Sequence, residues 1–279
     1  MNNLLDNLKE THTFLCKEGF DKATAGVVLG TGLSDLVNYI EVEKIIPYHE
    51  IPNFPVSTVE FHKGNLISGK IGGTTVMAMQ GRFHFYEGYS MGQITFPIRL
   101  MKMLGVQQLL LSNAAGGMNL NFKKGDLVII DDHINTQTEN PLRGLTDNAF
   151  GPRFPDMSCP YDRALSEKLF VAATALNIKI LRGIYVAVNG PSLETRAEYR
   201  YLKAAGADMV GMSTVPEVIV ANQIGLPCAA VSVITDECDP DNLHRVDIAE
   251  IIAVAGKADK KLSSVFAEVI KGLGQGGEW

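Results

Sequence analysis

The sequence predicts an α/β domain built on a central sheet, and three observations support this. Short apolar segments of strand length alternate with amphipathic helical segments along all 279 residues. Neither a linker nor a change in composition divides the chain, so we expect a single domain over residues 1–279. Hydrophobic residues make up 46% of the chain and charged residues 20%, which is enough apolar material for a large core.

The bulk composition argues against several kinds of partner. The net charge of −6 excludes a general nucleic-acid-binding surface, so any anion site must be local. The apolar runs are too short to cross a bilayer, and the first residues lack the basic region of a secretory signal. The four cysteines show no CxxC spacing. We therefore expect a cytoplasmic protein with reduced thiols that binds neither nucleic acid nor a membrane.

Helices and strands are predicted from hydrophobic periodicity and from turn residues. The first helix, which carries Leu4 to Cys16, is predicted to be interrupted near Thr11. The proline-rich segment 47–55 and the polar segment 132–160 are predicted to be loops. Strands are predicted at 26–29, 66–71, 74–79, 108–112, 125–131, 183–188, 208–212 and 228–235, and later helices at 93–104, 163–176, 194–205 and 247–271.

A glycine turn after the first strand predicts an anion site. Gly30, Thr31 and Gly32 join that strand to a predicted helix with Leu36 on its apolar face. Backbone N–H groups and the positive start of the helix would then face the same point. The alternative is a dinucleotide-binding turn, but that motif needs a glycine at position 35, where this chain has Asp35.

The segment 80–89, QGRFHFYEGY, concentrates chemically useful side chains in ten positions. It follows a predicted strand, in which side chains alternate between the two faces. Arg82, His84 and Tyr86 are therefore predicted to point the same way. A bidentate cation, a titratable ring and a phenol in one place suit a phosphate group beside a sugar.

Polar residues follow most of the predicted strands, where ligands of open α/β sheets bind. Ser213 also precedes a predicted helix start, in which Thr214 and Glu217 have the spacing of a capping box and Pro216 lies in the first turn. We expect the strand-end residues to converge on one site. They are Thr31, Arg82, Asn113, Glu194, Ser213 and Asp236.

Seven segments in order along the chain resemble one known family. They are LGTGLSDL, FHKG, QGRFHFYEGY, NAAGGMN, RFPDMS, NGPSLET and GMSTVPEVIVA. Together they resemble the trimeric purine nucleoside phosphorylases of the inosine- and guanosine-cleaving type, over nearly the whole chain. The resemblance implies a three-layer α/β/α fold with a central mixed sheet. It also implies phosphorolysis of purine nucleosides in purine salvage, with inorganic phosphate as co-substrate and neither a metal nor an organic cofactor.

The resemblance implies roles for individual residues as well. Phosphate would be bound by Thr31, His62, Arg82, His84, Ser213 and the backbone of Ala114. Ribose would contact Tyr86 and Met212, and the purine would contact Ala115, Gly116, Leu193, Glu194, Val210 and Asp236. The catalytic residues would be His84, Glu194 and Asp236. Phe154 would reach the purine site of a neighbouring subunit, which implies a homotrimer.

Four positions depart from the family pattern. The usual residue at position 31 is serine, and Thr31 keeps the hydroxyl. The inosine- and guanosine-cleaving branch has asparagine where this chain has Asp236, whereas the methylthioadenosine branch has aspartate there but lacks Glu194. Leu193 replaces a phenylalanine that is common in the family, so stacking area is lost. The histidine that contacts the sugar 5′-hydroxyl would fall on Ala249, and His244 could take its place only after a loop shift.

The residue types suggest how such a site would act. His84 is expected to donate to phosphate and not to serve as a general base, because the phosphate dianion needs no further deprotonation. An ionised Asp236 can only accept hydrogen bonds, so it either becomes protonated or accepts from a 6-amino group. We therefore expect a base preference broadened or shifted relative to the inosine- and guanosine-cleaving branch. A methylthioadenosine- or adenosine-preferring phosphorylase of the same family is the nearest alternative.

Two other function classes stay open at this point. A nucleoside- or phosphate-binding sensor would have lost the chemistry, but the joint presence of Arg82, His84 and Glu194 argues against it. A nucleoside hydrolase needs an aspartate cluster around calcium, and the isolated pair Asp236 and Asp239 does not suggest one. Strict dependence of base release on phosphate would separate a phosphorylase from a hydrolase.

Overall fold

The computed structural model describes residues 2–56, 63–146 and 148–274. The strands are β1 (Ala25–Leu29), β2 (Glu41–Pro47), β3 (Asn65–Ile71), β4 (Thr74–Gln80), β5 (Gln108–Gly117), β6 (Leu127–Asn135), β7 (Ile180–Ala187), β8 (Met209–Gly211) and β9 (Cys228–Glu237). The α-helices are α1 (Asn2–Lys17), α2 (Met91–Met103), α3 (Arg163–Ala175), α4 (Arg196–Ala204), α5 (Val215–Gln223) and α6 (Ile248–Leu273). Within these ranges no helix is both long enough and apolar enough to cross a bilayer.

The strands form one mixed sheet that is partly closed. Their order is β2-β3-β4-β1-β5-β8-β7-β6-β9, and β9 pairs with β5 as well as with β6. Strands β5, β8, β7, β6 and β9 therefore make a closed ring, from which the other four extend as an open sheet. Strand β1 lies parallel to β4 and β5, whereas β3 runs antiparallel to β2 and β4. The closure was not predicted from the sequence, because it depends on the long-range pairing of β9.

Helices cover both faces of the sheet, which confirms the predicted three-layer α/β/α arrangement. Helices α2 and α5 contribute Phe96 and Val220 to the core on one face. Helices α3 and α6 contribute Leu169 and Phe266 to the core on the other face. Side chains along β5 alternate between these two cores, as strand geometry requires.

The first helix is continuous, so the predicted interruption near Thr11 is wrong. The Thr11 side chain is fully buried, and its hydroxyl is placed for hydrogen bonds to the backbone oxygens of Asn7 (2.8 Å) and Pro52 (2.7 Å). Asn7 lies one turn earlier in α1. A threonine whose hydroxyl finds an acceptor within its own helix does not compete with the backbone bonds, and so it need not end the helix.

The segment after the Gly30 turn is also not the predicted α-helix. Residues Asp35–Tyr39 form a short 3₁₀ helix, and the chain then enters β2, which pairs with β3. That pairing leaves only five residues for a helical turn. In addition, the Asp35 N–H at its start donates to the carboxylate of Asp259 in α6 at 2.6 Å. The predicted α-helix after this turn is therefore wrong, although Leu36 is buried as expected, and the anion site at the turn stays a prediction.

Strand β5 is five residues longer than predicted, which changes the nature of the segment Asn113–Gly117. That segment was predicted to be a turn, but β9 pairs with it along its full length. A Cβ on Gly116 would lie 2.6 Å from the Cys238 sulfur, and a Cβ on Gly117 would lie 2.9 Å from the Ile234 side chain. The glycines therefore allow two chain segments to pack closely at the end of the sheet.

Candidate active site

A cavity of about 250 Å³ lies where several strands end. All six strand-end residues that were predicted to converge line it. The other predicted site residues that line it are His84, Tyr86, Ala114, Ala115, Gly116, Leu193, Val210 and Met212. His62 falls outside the described residues.

A buried ion pair fixes Arg82 in the wall of the cavity. Glu217 accepts from Arg82 Nη2 at 2.8 Å and from Nε at 3.3 Å, and the two side chains are 1% and 3% exposed. Arg82 Nη1 donates to the backbone oxygen of Ser112 and to Ser213 Oγ at 3.4 Å. The guanidinium is therefore fixed in orientation while it borders the cavity.

Glu217 does not form the predicted capping box. Thr214 precedes α5, but it has a φ of 66° and makes no side-chain capping hydrogen bond. Its hydroxyl accepts from Asn113 Nδ2 at 2.9 Å, and the Glu217 carboxylate pairs with Arg82 instead. A positive φ is costly for a non-glycine residue. Ser213, the residue immediately before Thr214, lines the cavity. Pro216 lies in the first turn of α5, as predicted.

The His84 ring is held on two sides. Glu87 Oε1 lies 2.8 Å from His84 Nδ1 and also accepts from the His84 backbone N–H at 2.8 Å. The Tyr86 ring stacks on the imidazole with centroids 4.7 Å apart and an angle of 17°. Burial lowers the pKa of His84, and the nearby Arg82 lowers it further, whereas Glu87 opposes both effects. We therefore assign a neutral imidazole whose Nδ1–H donates to Glu87 and whose Nε2 carries a lone pair.

Two carboxylates, those of Glu194 and Asp236, also line the cavity. Asp236 Oδ1 accepts from the Thr235 hydroxyl at 2.9 Å, and Asp236 Oδ2 accepts from the Cys238 thiol at 3.1 Å. Glu194 was predicted to be the first residue of this helix. It lies instead just before Thr195, the N-cap residue of α4. Burial raises the pKa of Glu194, and the negative charge of Asp236 adds to this increase.

Sequence reasoning missed several residues of the site. Tyr199 lines the cavity from α4, where its side chain is buried. No motif marked this tyrosine, although its place one turn after Thr195 on the buried side of an amphipathic helix was a usable signal. Ile248, Ile251 and Ile252 line the cavity from the first turns of α6. Their i, i+3, i+4 spacing would have indicated an apolar face there.

The two candidate partners for the sugar 5′-hydroxyl do not line this cavity. Ala249 is exposed on the first turn of α6, where its N–H donates to Asp247 Oδ1 at 2.9 Å. His244 lines a neighbouring cavity of about 210 Å³, which Asp236 also borders.

Phe154 lies outside the cavity on this chain. Its side chain is 86% exposed, and the Arg153 guanidinium lies 5.6 Å from the centre of its ring. It borders a separate cavity of about 570 Å³.

No cluster of three or more His, Cys, Asp or Glu side chains suited to a metal ion occurs among the described residues. The predicted absence of a metal and of an organic cofactor stays a prediction.

Comparison with known proteins identifies the relatives of this chain. The Phosphorylase superfamily model matches residues 24–271. Purine nucleoside phosphorylase 1 of Bacillus subtilis is 51% identical over 231 residues, which cover 83% of this chain and 85% of that protein. Purine nucleoside phosphorylase of Mus musculus is 43% identical over 272 residues, which cover 95% and 94%. The crystal structure of Schistosoma mansoni purine nucleoside phosphorylase in complex with adenosine superposes with a TM-score of 0.90 at 38% identity, covering 98% of each chain.

Proposed function

The chain belongs to the phosphorylase superfamily, and we propose that it is a purine nucleoside phosphorylase. It cleaves the N-glycosidic bond of purine ribonucleosides and deoxyribonucleosides with inorganic phosphate, releasing the purine and ribose or deoxyribose 1-phosphate. The observation that carries this proposal is that two chemically different groups of side chains line one cavity. Arg82, His84 and Ser213 form one group, in which Arg82 donates to Ser213, and the carboxylates Glu194 and Asp236 form the other. An anionic nucleophile and a nitrogen base can therefore bind in the same cavity with a sugar between them.

Phosphate binds at the Arg82 end in this proposal. Glu217 accepts hydrogen bonds from Nε and Nη2 on one edge of the Arg82 guanidinium. The Nη1 atom, on the other edge, faces Ser213. Thr31, Ser213 and the backbone of Ala114 add polar groups around this end. His62 remains a proposed ligand, although it lies outside the described residues. Such positioned donors replace a bimolecular encounter by an oriented attack.

His84 is proposed to accept a hydrogen bond from phosphate, and this revises the donor role expected from the sequence. With Nδ1 committed to Glu87 and the ring neutral, Nε2 has a lone pair and no proton. The phosphate dianion carries one hydroxyl, which can donate to that lone pair. The remaining phosphate oxygens, which carry the negative charge, are then directed toward Arg82 and the anomeric carbon.

Ribose lies between the two ends, against Tyr86 and Met212. Burial raises the pKa of Tyr86 to about 12, so its hydroxyl stays protonated and can donate to a sugar hydroxyl. Bond cleavage builds positive charge on the sugar, in an oxocarbenium-like state that the adjacent phosphate dianion stabilises and then captures. The electron pair of the broken bond leaves with the purine, which takes a proton or hydrogen bond at its five-membered ring.

The purine binds between Glu194 and Asp236, with Ala115, Gly116, Leu193 and Val210 as the other proposed contacts. Asp236 Oδ1 lies 2.9 Å from the Thr235 hydroxyl and Oδ2 lies 3.1 Å from the Cys238 thiol. A carboxylate oxygen has more than one acceptor position, so each can also accept from a ligand. Because a carboxylate can accept from a 6-amino group, we propose that adenosine is turned over alongside 6-oxopurine nucleosides.

A methylthioadenosine-cleaving activity is the second candidate, and the three isoleucines of α6 favour it. Ile248, Ile251 and Ile252 give this cavity an apolar side, and neither Ala249 nor His244 supplies a polar group to it. An apolar surface suits a 5′-methylthio group better than a 5′-hydroxyl group. Because the three isoleucines offer no hydrogen bond, the site should also select only weakly for nucleosides that carry a 5′-hydroxyl group.

The assembly and the cellular role are also proposals. An exposed phenylalanine at position 154, far from its own chain's cavity, supports a homotrimer in which this ring reaches the purine site of a neighbouring subunit. We further propose that residues 1–279 act as one phosphorylase domain in purine salvage in the cytoplasm. No metal or organic cofactor is required in this account.

One assay tests the function. Ultraviolet detection of base release from inosine, guanosine, adenosine and 5′-methylthioadenosine, each with and without phosphate, separates the candidates. Release that requires phosphate supports a phosphorylase, and the four rates give the base and 5′ preferences. Release without phosphate indicates a hydrolase, and the absence of any release despite phosphate binding indicates a sensor.

A further inference from the structure

Arg99, in α2, is a buried cation that no carboxylate of the described residues pairs with. Its side chain is 3% exposed. Nη1 donates to Gln223 Oε1 at 2.9 Å, whereas Nε and Nη2 have no hydrogen-bond acceptor in the part of the chain that the structure describes. The guanidinium carbon lies 5.0 Å from the centre of the Phe150 ring, within the range of a cation–π contact. A buried charge with so few partners depends strongly on those it has.

Arg99 also fixes the orientation of the Gln223 amide. A guanidinium has only donors, so Gln223 must present its oxygen to Arg99. The amide nitrogen is then turned toward the segment before Phe154, where Nε2 donates to the Pro152 backbone oxygen at 3.3 Å. The Gln223 side chain is buried as well. We call Arg99, Gln223, Phe150 and Pro152 the arm anchor, because they join α2 and the end of α5 to this segment.

The segment fits closely against α5 at Gly151, between the two anchored residues. Gly151 has a φ of 98°, and a Cβ at this position would overlap the backbone oxygen of Gln223. Phe150 is buried, whereas Phe154 is exposed. Two residues of extended chain span at most about 7 Å, so Phe154 can lie no farther than this from the anchored Pro152. The arm anchor therefore fixes the base from which Phe154 projects.

We propose that Arg99 and Gln223 are positioning residues for nucleoside binding, because they hold the segment that presents Phe154 to the purine site of a neighbouring subunit. This inference rests on the proposed function and on the role proposed there for Phe154. Neither Arg99 nor Gln223 lines the cavity of its own chain, so each acts only through the segment it holds. Loosening the arm anchor should therefore weaken nucleoside binding and leave phosphate binding unchanged.

Gln223→Glu tests the arm anchor without removing the partner of Arg99. The new carboxylate can accept from Arg99 in a buried ion pair, but it cannot donate to the Pro152 oxygen. The unfolding midpoint should stay the same or rise. The KM for inosine should nevertheless rise about fivefold, with kcat and the KM for phosphate within about twofold of the unsubstituted protein. Gln107→Glu, at an exposed residue just before β5, makes the same change of charge and should alter none of these values.

Gly151→Ala tests the close fit by a second route. The added methyl group would displace the segment from α5, so the KM for inosine should again rise about fivefold. Gly206→Ala is the matched control, because Gly206 has a φ of 101° and open space around its Cβ position. It introduces the same backbone strain without the overlap, and its KM should stay within about twofold of the unsubstituted value. Light scattering and thermal unfolding check the assembly and the folding of each variant.

A double substitution separates positioning from a general loss of structure. If Gln223 acts through Phe154, adding Gln223→Glu to Phe154→Ala should change the KM for inosine by less than about twofold. Two increases that multiply would show that Gln223 acts independently of Phe154, and the inference would be wrong. A fall in the unfolding midpoint with no change in KM would leave the arm anchor a structural role only, which also contradicts the proposal.

Hydrogen exchange of peptides covering residues 148–155 reads the arm anchor directly, whether or not the protein is active. Faster exchange in Gln223→Glu than in Gln107→Glu supports the arm anchor, and equal exchange overturns it. If the unsubstituted protein releases no base in the presence of phosphate, the proposed function is wrong, and the exchange still tests the contact between Gln223 and the segment. If it is active and the exchange is faster but the KM for inosine is unchanged, the positioning role is wrong and the function stands.

Discussion

Glu217 holds the Arg82 guanidinium by two hydrogen bonds, of 2.8 Å and 3.3 Å, with both side chains almost completely buried. The pair joins the start of α5 to the segment after β4. Its consequence is that the cation at the phosphate end has one orientation before any ligand arrives. A buried charge of this kind depends strongly on its partner, because an unpaired charge inside the protein is costly.

Replacing Glu217 should therefore affect both stability and phosphate use. We expect Glu217→Gln to lower the free energy of unfolding by roughly 3 kcal/mol, and to lower kcat/KM for phosphate about a hundredfold. Urea denaturation and initial rates at varied phosphate measure the two effects. Glu167→Gln is the matched control, because it removes one of the two carboxylate partners of Arg182 from an exposed pair and should cost less than about 1 kcal/mol. Equal effects of the two substitutions would contradict the account.

The pKa of His84 is lowered in the folded protein. The free energy of unfolding at acidic pH should therefore depend on this residue. Its folded-state pKa lies below the unfolded value of about 6.5, so its neutral form contributes stability that is fully present above that pH. This contribution is lost as the pH falls from about 6.5 through the lowered folded-state pKa. Between pH 7.5 and 5.5, the unsubstituted protein should lose up to about 1.4 kcal/mol more than His84→Gln does.

Denaturant unfolding at several pH values measures this difference. His49→Gln, at an exposed histidine, serves as the control and should leave the pH dependence unchanged. The assignment of a neutral His84 would be refuted if His84→Gln and the unsubstituted protein lost the same stability on acidification.

Asp236 is expected to control the choice between 6-amino and 6-oxo purines. Asp236→Asn replaces an acceptor by a group that also donates, which suits O6 of a 6-oxopurine. The ratio of adenosine to inosine turnover should fall at least about fivefold, because a mismatched polar pair costs about 1 kcal/mol or more. Parallel ultraviolet assays of the two nucleosides give this ratio. An unchanged ratio would remove Asp236 from the account of base choice.

Phe154 should affect activity only through a neighbouring subunit. Because its ring is 86% exposed, Phe154→Ala should leave the unfolding free energy of an isolated chain nearly unchanged. In the proposed trimer it should raise KM for the nucleoside about tenfold. Light scattering gives the oligomeric state, and Leu120→Ala, at another exposed apolar side chain, provides the control. A monomer in solution, or an unchanged KM, would contradict the proposed role.

The sequence predicted the contents of the cavity better than the local structure that builds it. Arg82, His84 and Tyr86 line one cavity as expected, yet β4 ends at Gln80, so strand alternation does not place them there. Their convergence comes from the irregular segment that follows the strand. Local motifs identified residues that line one cavity, and the roles proposed for them stay predictions.

The parts that sequence reasoning missed depend on contacts between distant segments. Glu217 has the spacing of a capping residue, but Arg82, 135 positions earlier, provides a buried charge that competes for its carboxylate. Tyr199 belongs to no motif. It shares a buried cluster with Cys238, which requires α4 to pack beside the end of β9. Ring closure of the sheet by β9 likewise follows from tertiary pairing that no local pattern encodes.

The most direct test of the central claim is the identity of the sugar product. Inosine and inorganic phosphate are incubated with the protein, and ³¹P NMR follows phosphate while ultraviolet absorbance follows hypoxanthine. The account predicts one ribose 1-phosphate formed for each hypoxanthine released, and no release without phosphate. Hypoxanthine released together with unphosphorylated ribose, with the phosphate signal unchanged, would contradict it.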